Sequence, residues 1–192
     1  MSTRALTAVL PLALLVGCGS SNHSISNVKV TAAPSTGGAS TFSAPGMAIH
    51  FRFPSRFHPI SLAPSKGVAG NTGQATHAAV ALTKYDLLRV TRFPNRSVAV
   101  TPKNISSVRS TYDRTLSGAF GVSVTSTVTT VGGLPALSYP PISLTGQPVA
   151  VSGRVTLVFL GHDEYELYCQ YTPKGLAAVS PACNEMLSTL SK

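Results

Sequence analysis

The sequence has no tryptophan, only three cysteines and only six Asp and Glu residues in 192. It also lacks any apolar run of the roughly 20 residues that a membrane-spanning helix needs. Each scarcity narrows the function. Six carboxylates leave little material for paired acid–base chemistry unless folding brings two together. His50, His58, His77, His162, Asp163 and Glu164 are the candidate metal ligands or proton carriers, and none stands at ligand spacing, so no metal site and no cofactor are expected. There is no G-x-S-x-G, no S-x-x-K with K-T-G in a structured context, and no G-K-[ST] after the glycines at Gly67, Gly70 and Gly73. Ser26 and Lys29 form an S-x-x-K only in a stretch with no helical pattern to hold it. No catalytic residue is assigned. Charged residues make up 11%, well below the roughly 25% of an average soluble protein, while Ser, Thr, Gly and Pro are abundant. That balance suits an exported, strand-rich protein.

What is present begins with a leader. Arg4 is the only charge before Lys29, and Ala5 to Val16 is apolar or small apart from Thr7 and Pro11. The segment is too short to span a bilayer and has the length of a secretory signal core. It ends in Leu15-Val16-Gly17-Cys18. These four residues resemble the lipobox of bacterial lipoproteins: a branched apolar residue, a small or branched one, Gly or Ala, then cysteine. The resemblance implies that the Cys18 thiol receives a diacylglyceryl group and that the chain is cut just before it, giving a signal peptide at 1–17. Two or three acyl chains, at about 0.8 kcal/mol per buried CH₂, would hold the protein on a membrane almost permanently. Gly19 follows the cysteine, so the Asp that retains some lipoproteins in an inner membrane is missing.

Residues 18–46 carry Lys29 as their only charge and no sustained apolar period. Composition of this kind buries too little to offset ordering entropy, so a flexible tether is expected there, followed by one domain over 47–192. In that domain Met47, Ile49, Phe51 and Phe53 alternate with Ala48, His50 and Arg52, a strand closed by Pro54. Further strands are expected near 78–82, 87–93, 122–131, 134–139, 154–160 and 165–172. The last two flank a turn at Gly161-His162-Asp163-Glu164. Thr101-Pro102 opens a helix with Ile105, Val108, Tyr112 and Leu116 on one stripe, and a second helix is expected over about 179–190. Along 154–160 both alternate sets are apolar, which places that strand mid-sheet with helices on each side.

Tyr165, Leu167, Cys169 and Tyr171 share one strand face, and Cys183, Met186, Leu187 and Leu190 share one helix stripe. If that helix closes over that strand, Cys169 and Cys183 meet. With Cys18 taken by lipid, a disulfide between them is expected in an oxidising compartment; two buried free thiols are the alternative.

Lys and Arg number 15 against six acids, and ten of them lie between Arg52 and Arg114, a stretch holding only Asp86 and Asp113 as acids. For a protein held outside the cytoplasm such a surface suits anionic headgroups or envelope polymers rather than nucleic acid, or simply solubility. The stretch from Met47 to Phe57, an aromatic-rich strand running into Pro54 and then an aromatic, resembles the opening of lipoproteins with the PsbP-like fold, including the LpqN type. In that family Trp often stands where this chain has Phe57. The terminal hairpin and helix are also similar, over about 47–190. The resemblance implies an α+β fold, an antiparallel sheet with helices on both faces, and a non-catalytic binding or assembly module of the cell envelope. Its partners would be the membrane, through the diacylglyceryl anchor, and an envelope protein or lipid-like ligand. Two further readings are a basic-surface structural or chaperone-like factor and an enzyme with a site assembled from scattered residues.

Overall fold

The computed structural model describes residues 26–27, 29–34, 38–62, 75–94 and 96–192. Cys18 and the signal peptide expected at 1–17 lie outside the described residues. The elements in chain order are β1 (Ser26–Asn27), β2 (Thr31–Pro34), β3 (Ala39–Ser43), β4 (Phe51–Pro54), β5 (His58–Ile60), β6 (Thr76–Ala81), β7 (Leu87–Phe93), α1 (Ile105–Phe120), β8 (Thr127–Val131), β9 (Leu134–Ser138), β10 (Ile142–Leu144), β11 (Val151–Leu160), β12 (Asp163–Tyr171) and α2 (Leu176–Ser188).

The main sheet has nine strands in the order β1-β6-β7-β12-β11-β9-β8, with β5 beside β1 on the edge of β6 and β10 beside β9 on the edge of β11. Every pairing in it is antiparallel except the two-residue β1–β6 contact. Strand β11 sits inside this sheet and is apolar on both sides, as its sequence requires. Val155, Leu157 and Phe159 pack in one cluster with Ile105 and Leu116 of α1. Val158 packs in the other, with Val179, Ala182 and Met186 of α2. The two helices therefore cover opposite faces, as the two-sided strand leads one to expect, and the α+β architecture implied by the resemblance is what forms.

The tether expected over 18–46 requires correction. Within it, β2 pairs with β3, and β3 pairs with β4, in a three-stranded sheet that joins the α2 side of the core. The boundary at residue 47 is too late. Phe42 is the anchor that composition averages away: it is 1% exposed and stacks on Phe51 with ring centroids 4.3 Å apart. The alternation from Met47 to Phe53 does read the correct faces, since Met47, Ile49, Phe51 and Phe53 are all buried while Ala48, His50 and Arg52 are exposed. Only its end is a ladder strand, however, and it belongs to the small sheet.

Cys169 and Cys183 are joined in a disulfide with Cα atoms 6.0 Å apart, fastening β12 to α2 inside the core. The helix begins at Leu176, earlier than its apolar stripe suggests, and carries Pro181 within it. Proline there forfeits one intrahelical hydrogen bond, and that cost is offset by burial of Val179, Ala182, Cys183 and Met186. Gly132 and Gly133 close the β8–β9 hairpin with φ of 58° and 73°, the left-handed pair a two-residue turn demands. A β-carbon on Gly132 would also run into the backbone carbonyl of Leu190.

Candidate functional site

Strand β12 alternates sharply. Tyr165, Leu167 and Cys169 enter the core beneath α2, which sends Glu164, Glu166 and Tyr168 to the α1 side. On β7, Leu88 and Val90 face α2, leaving Arg89 and Thr91 beside the two glutamates, and on β6 the same alternation places His77 with them. The registers align His77 with Thr91 and Thr91 with Glu166 across three strands. His77, Thr91, Glu164 and Glu166 are all buried, so this part of the α1 side is a polar cluster within the fold.

Arginines hold its carboxylates. Arg89 Nη2 donates to Glu166 Oε1 at 2.6 Å and its guanidinium lies 4.7 Å over the Tyr168 ring. Arg96 Nη1 donates to Glu164 Oε2 at 2.5 Å, and the Tyr112 hydroxyl of α1 donates to the same oxygen at 2.7 Å. The Arg96 guanidinium is itself stacked over the rings of Tyr112 and Phe159. Burial nonetheless pushes the Glu164 carboxyl up to about 7, with Arg96 pulling it back and Glu166 adding to the rise. His77 is shifted the other way: burial, then the charge of Arg89, holds its imidazole below the ordinary value, so it is neutral at pH 7. Among the described residues, both His77 ring nitrogens and the Nε atoms of Arg89 and Arg96 have no hydrogen-bond partner. Buried polar atoms left open in this way are costly, and they mark where a further group with acceptor oxygens would be welcome.

The two shifted groups give stability–pH slopes of opposite sign. Glu164 has a folded-state value above its unfolded one, so the folded state holds its proton more tightly and stability falls as pH rises from about 4.5 to about 7. His77 has a folded-state value below its unfolded one, so its contribution is lost as pH falls below about 6.5. In wild type the two partly cancel just below about pH 6.5. Glu164→Gln is expected to leave stability rising with pH across that window, and His77→Leu to leave it falling, as measured by urea denaturation at each pH. Slopes in both variants parallel to wild type would contradict the assignment.

The other residues singled out in the sequence are dispersed. Gly161 and His162 alone make the hairpin turn, while Asp163 and Glu164 belong to β12. His162 Nδ1 lies 2.8 Å from the carbonyl of Arg96. Asp163 forms a two-point pair with Arg92 at 2.9 and 3.2 Å on the α2 side, where Arg92 also reaches the Gly46 carbonyl. His50 bridges to Ser191 through its backbone, and His58 is an exposed residue of β5. Among the described residues no three metal-ligating side chains come together.

All six carboxylates are engaged. Five pair with arginines: Glu185 with Arg52, Glu166 with Arg89, Asp163 with Arg92, Glu164 with Arg96 and Asp113 with Arg109. The sixth, Asp86, accepts from Thr83 Oγ1 and from the backbone and hydroxyl of Thr172, pinning the loop before α2. Five of the ten basic residues between Arg52 and Arg114 are thus paired, and that half offers less free charge than its count implies. Arg109 and Asp113 are an i,i+4 pair on α1 and so are local in sequence, whereas the other four join residues far apart in the chain that only the fold brings together.

A separate groove of about 320 Å³ lies between the start of α1 and the β8–β9 hairpin. Pro102, Ile105, Val128, Thr129, Thr130 and Pro135 line it, and none of them titrates.

The fold has a counterpart among solved structures. A Bacteroides thetaiotaomicron protein of known crystal structure superimposes with a TM-score of 0.53 at 11% identity, over 79% of this chain and 47% of its own, so this chain spans about half the length of that protein. LpqN of Mycobacterium tuberculosis, described as involved in cell envelope biogenesis, gives a TM-score of 0.47 at 9% identity over 85% of this chain and 90% of its own. No family profile and no curated protein sequence matches the chain. Among the described residues no helix is long and apolar enough to cross a membrane.

Proposed function

We propose that this protein is a lipid-anchored extracytoplasmic lipoprotein whose domain is a non-catalytic binding module of the cell envelope. The observation that carries the location is the buried disulfide between Cys169 and Cys183. Such a bond belongs to an oxidising compartment, and it leaves Cys18, at the end of a secretory leader, as the remaining cysteine. Binding is supported by the polar cluster, where the open Nε groups of Arg89 and Arg96 and the neutral ring of His77 offer donors that the fold does not use. A lipid-like ligand with ester, carboxyl or phosphate oxygens suits them. The engagement of every carboxylate in an ion pair or a loop contact favours binding over acid–base chemistry.

The test is native mass spectrometry of the full chain released from detergent. The expected spectrum holds a non-covalent lipid-class adduct that is lost in an Arg89→Met, His77→Leu variant. A bare protein mass in both would contradict the ligand.

A further inference from the structure

Strand β8 is an outer edge of the main sheet: among the described residues it pairs with β9 alone, while the opposite side of the sheet ends in the short strands β1 and β5. The two-residue turn at Gly132-Gly133 fixes which backbone groups point outward. Val131 and Leu134 close the turn as a hydrogen-bonded pair, and Thr129 with Ala136 is the next such pair along the register. The N–H and C=O groups of Val128 and Thr130 therefore face away from β9, and they have no partner among the described residues. One step further along, the outward N–H of Ser126 is taken by Asp113 Oδ1 at 3.1 Å. The free edge is thus short and centred on Thr129.

Natural edges are protected by charge, proline or a bulge. This one, TVTTV, has none of them. From Thr115 to Gly153 the chain contains no Asp, Glu, Lys, Arg or His, and Val128 is exposed beside the groove lined by Pro102, Ile105, Thr130 and Pro135. The strand and its hairpin partner carry no charge of their own, and the nearby Asp113 is already engaged by Ser126 and Arg109.

We propose that this edge pairs with the same edge of a second copy of the chain. A two-fold axis through Thr129 sets Val128 of each copy against Thr130 of the other, so that the four outward N–H groups meet the four outward C=O groups with none left over. The axis runs perpendicular to the sheet, keeps both α1 helices on one side, and places Val128 of each copy next to the groove of its partner. The formal charge of +9 per chain opposes self-association in general, and a strand with no charge of its own adds none to that repulsion at the contact. The inference is independent of the ligand reading.

Cross-linking tests it. The full chain, with Cys18→Ser so that no other thiol is free, is given Thr129→Cys and oxidised in mild detergent at low concentration. On the axis the two residues form a non-hydrogen-bonded pair with Cα atoms about 4.5 Å apart, within the range a disulfide spans. At Thr127→Cys the two thiols sit about 13 Å apart, at four steps of strand rise. The expected result is a homodimer for Thr129→Cys at about tenfold the yield of Thr127→Cys, reduced about fivefold when Val128→Lys is added to put like charges across the edge. Sedimentation equilibrium of the chain without introduced cysteines is expected to give the mass of two chains, and that of one chain for Val128→Lys. Equal cross-linking at 127 and 129, a monomer mass in wild type, or capture of a different protein at Thr129→Cys would overturn the proposal.

Discussion

Replacing Cys169 and Cys183 together with alanine is expected to lower the melting temperature by about 6–12 °C. The bond closes a loop across 14 residues of sequence separation, and loop closure of about 15 residues stabilises by about 3 kcal/mol in the chain-entropy account. For a chain of this size each kcal/mol corresponds to about 2–4 °C. The location is as telling as the loop: both sulfurs are buried between β12 and α2, so the bond docks the helix that covers one face of the sheet. Reductant added to the wild type under partly denaturing conditions should reproduce the loss, and calorimetry with and without reductant reads both. A melting temperature unchanged in the alanine variant would show that α2 docks by apolar contacts alone.

Arg96→Met is expected to cost about 3 kcal/mol at pH 7, because removing one partner of a buried ion pair strands the other. Glu164 is the stranded group, with its side chain only 10% exposed and Tyr112 as its one remaining donor among the described residues. The loss should shrink at pH 5, where a carboxyl that titrates near 7 is already protonated. Adding Glu164→Gln should recover most of it at pH 7, since a neutral amide of the same shape no longer needs the cation. Urea denaturation of the two single variants and the double variant gives the coupling energy directly. Additive losses would mean that the two side chains do not depend on each other.

Much of the fold was legible in the chain where one local pattern decided one surface. Strand β7 spans 87–93 as its apolar run indicates, and β11 declares its central place by being apolar on both alternate sets. The disulfide was legible for the same reason: period two on β12 and a helical stripe on α2 each fix one face, and only one closure brings Cys169 to Cys183. The small sheet was not. Ala, Ser, Thr and Pro in β2 and β3 carry little burial signal, and a single aromatic, Phe42, supplies the contact with Phe51 that holds them to β4. That isolated aromatic was the one clue in the segment. The polar cluster was also hidden, because Arg89 and Glu166, or Arg96 and Glu164, stand about 70 residues apart and meet only through the β7–β12 register. Once that register is known, the alternation of charged and apolar residues along 163–169 assigns each carboxylate to its side of the sheet.

Location and fold bear on each other through the cysteines. A thiol pair consumed inside the domain leaves Cys18, at the end of the proposed leader, and the chemistry of that residue decides whether the domain works at a membrane surface. The direct measurement is the mass of the amino-terminal peptide of the protein isolated from membranes of bacterial cells producing it. A peptide that starts at Cys18 and carries diacylglycerol in thioether linkage is the expected result. An intact leader, or a mature start elsewhere with Cys18 absent or bearing a free thiol, would contradict the anchor and with it the proposed place of work.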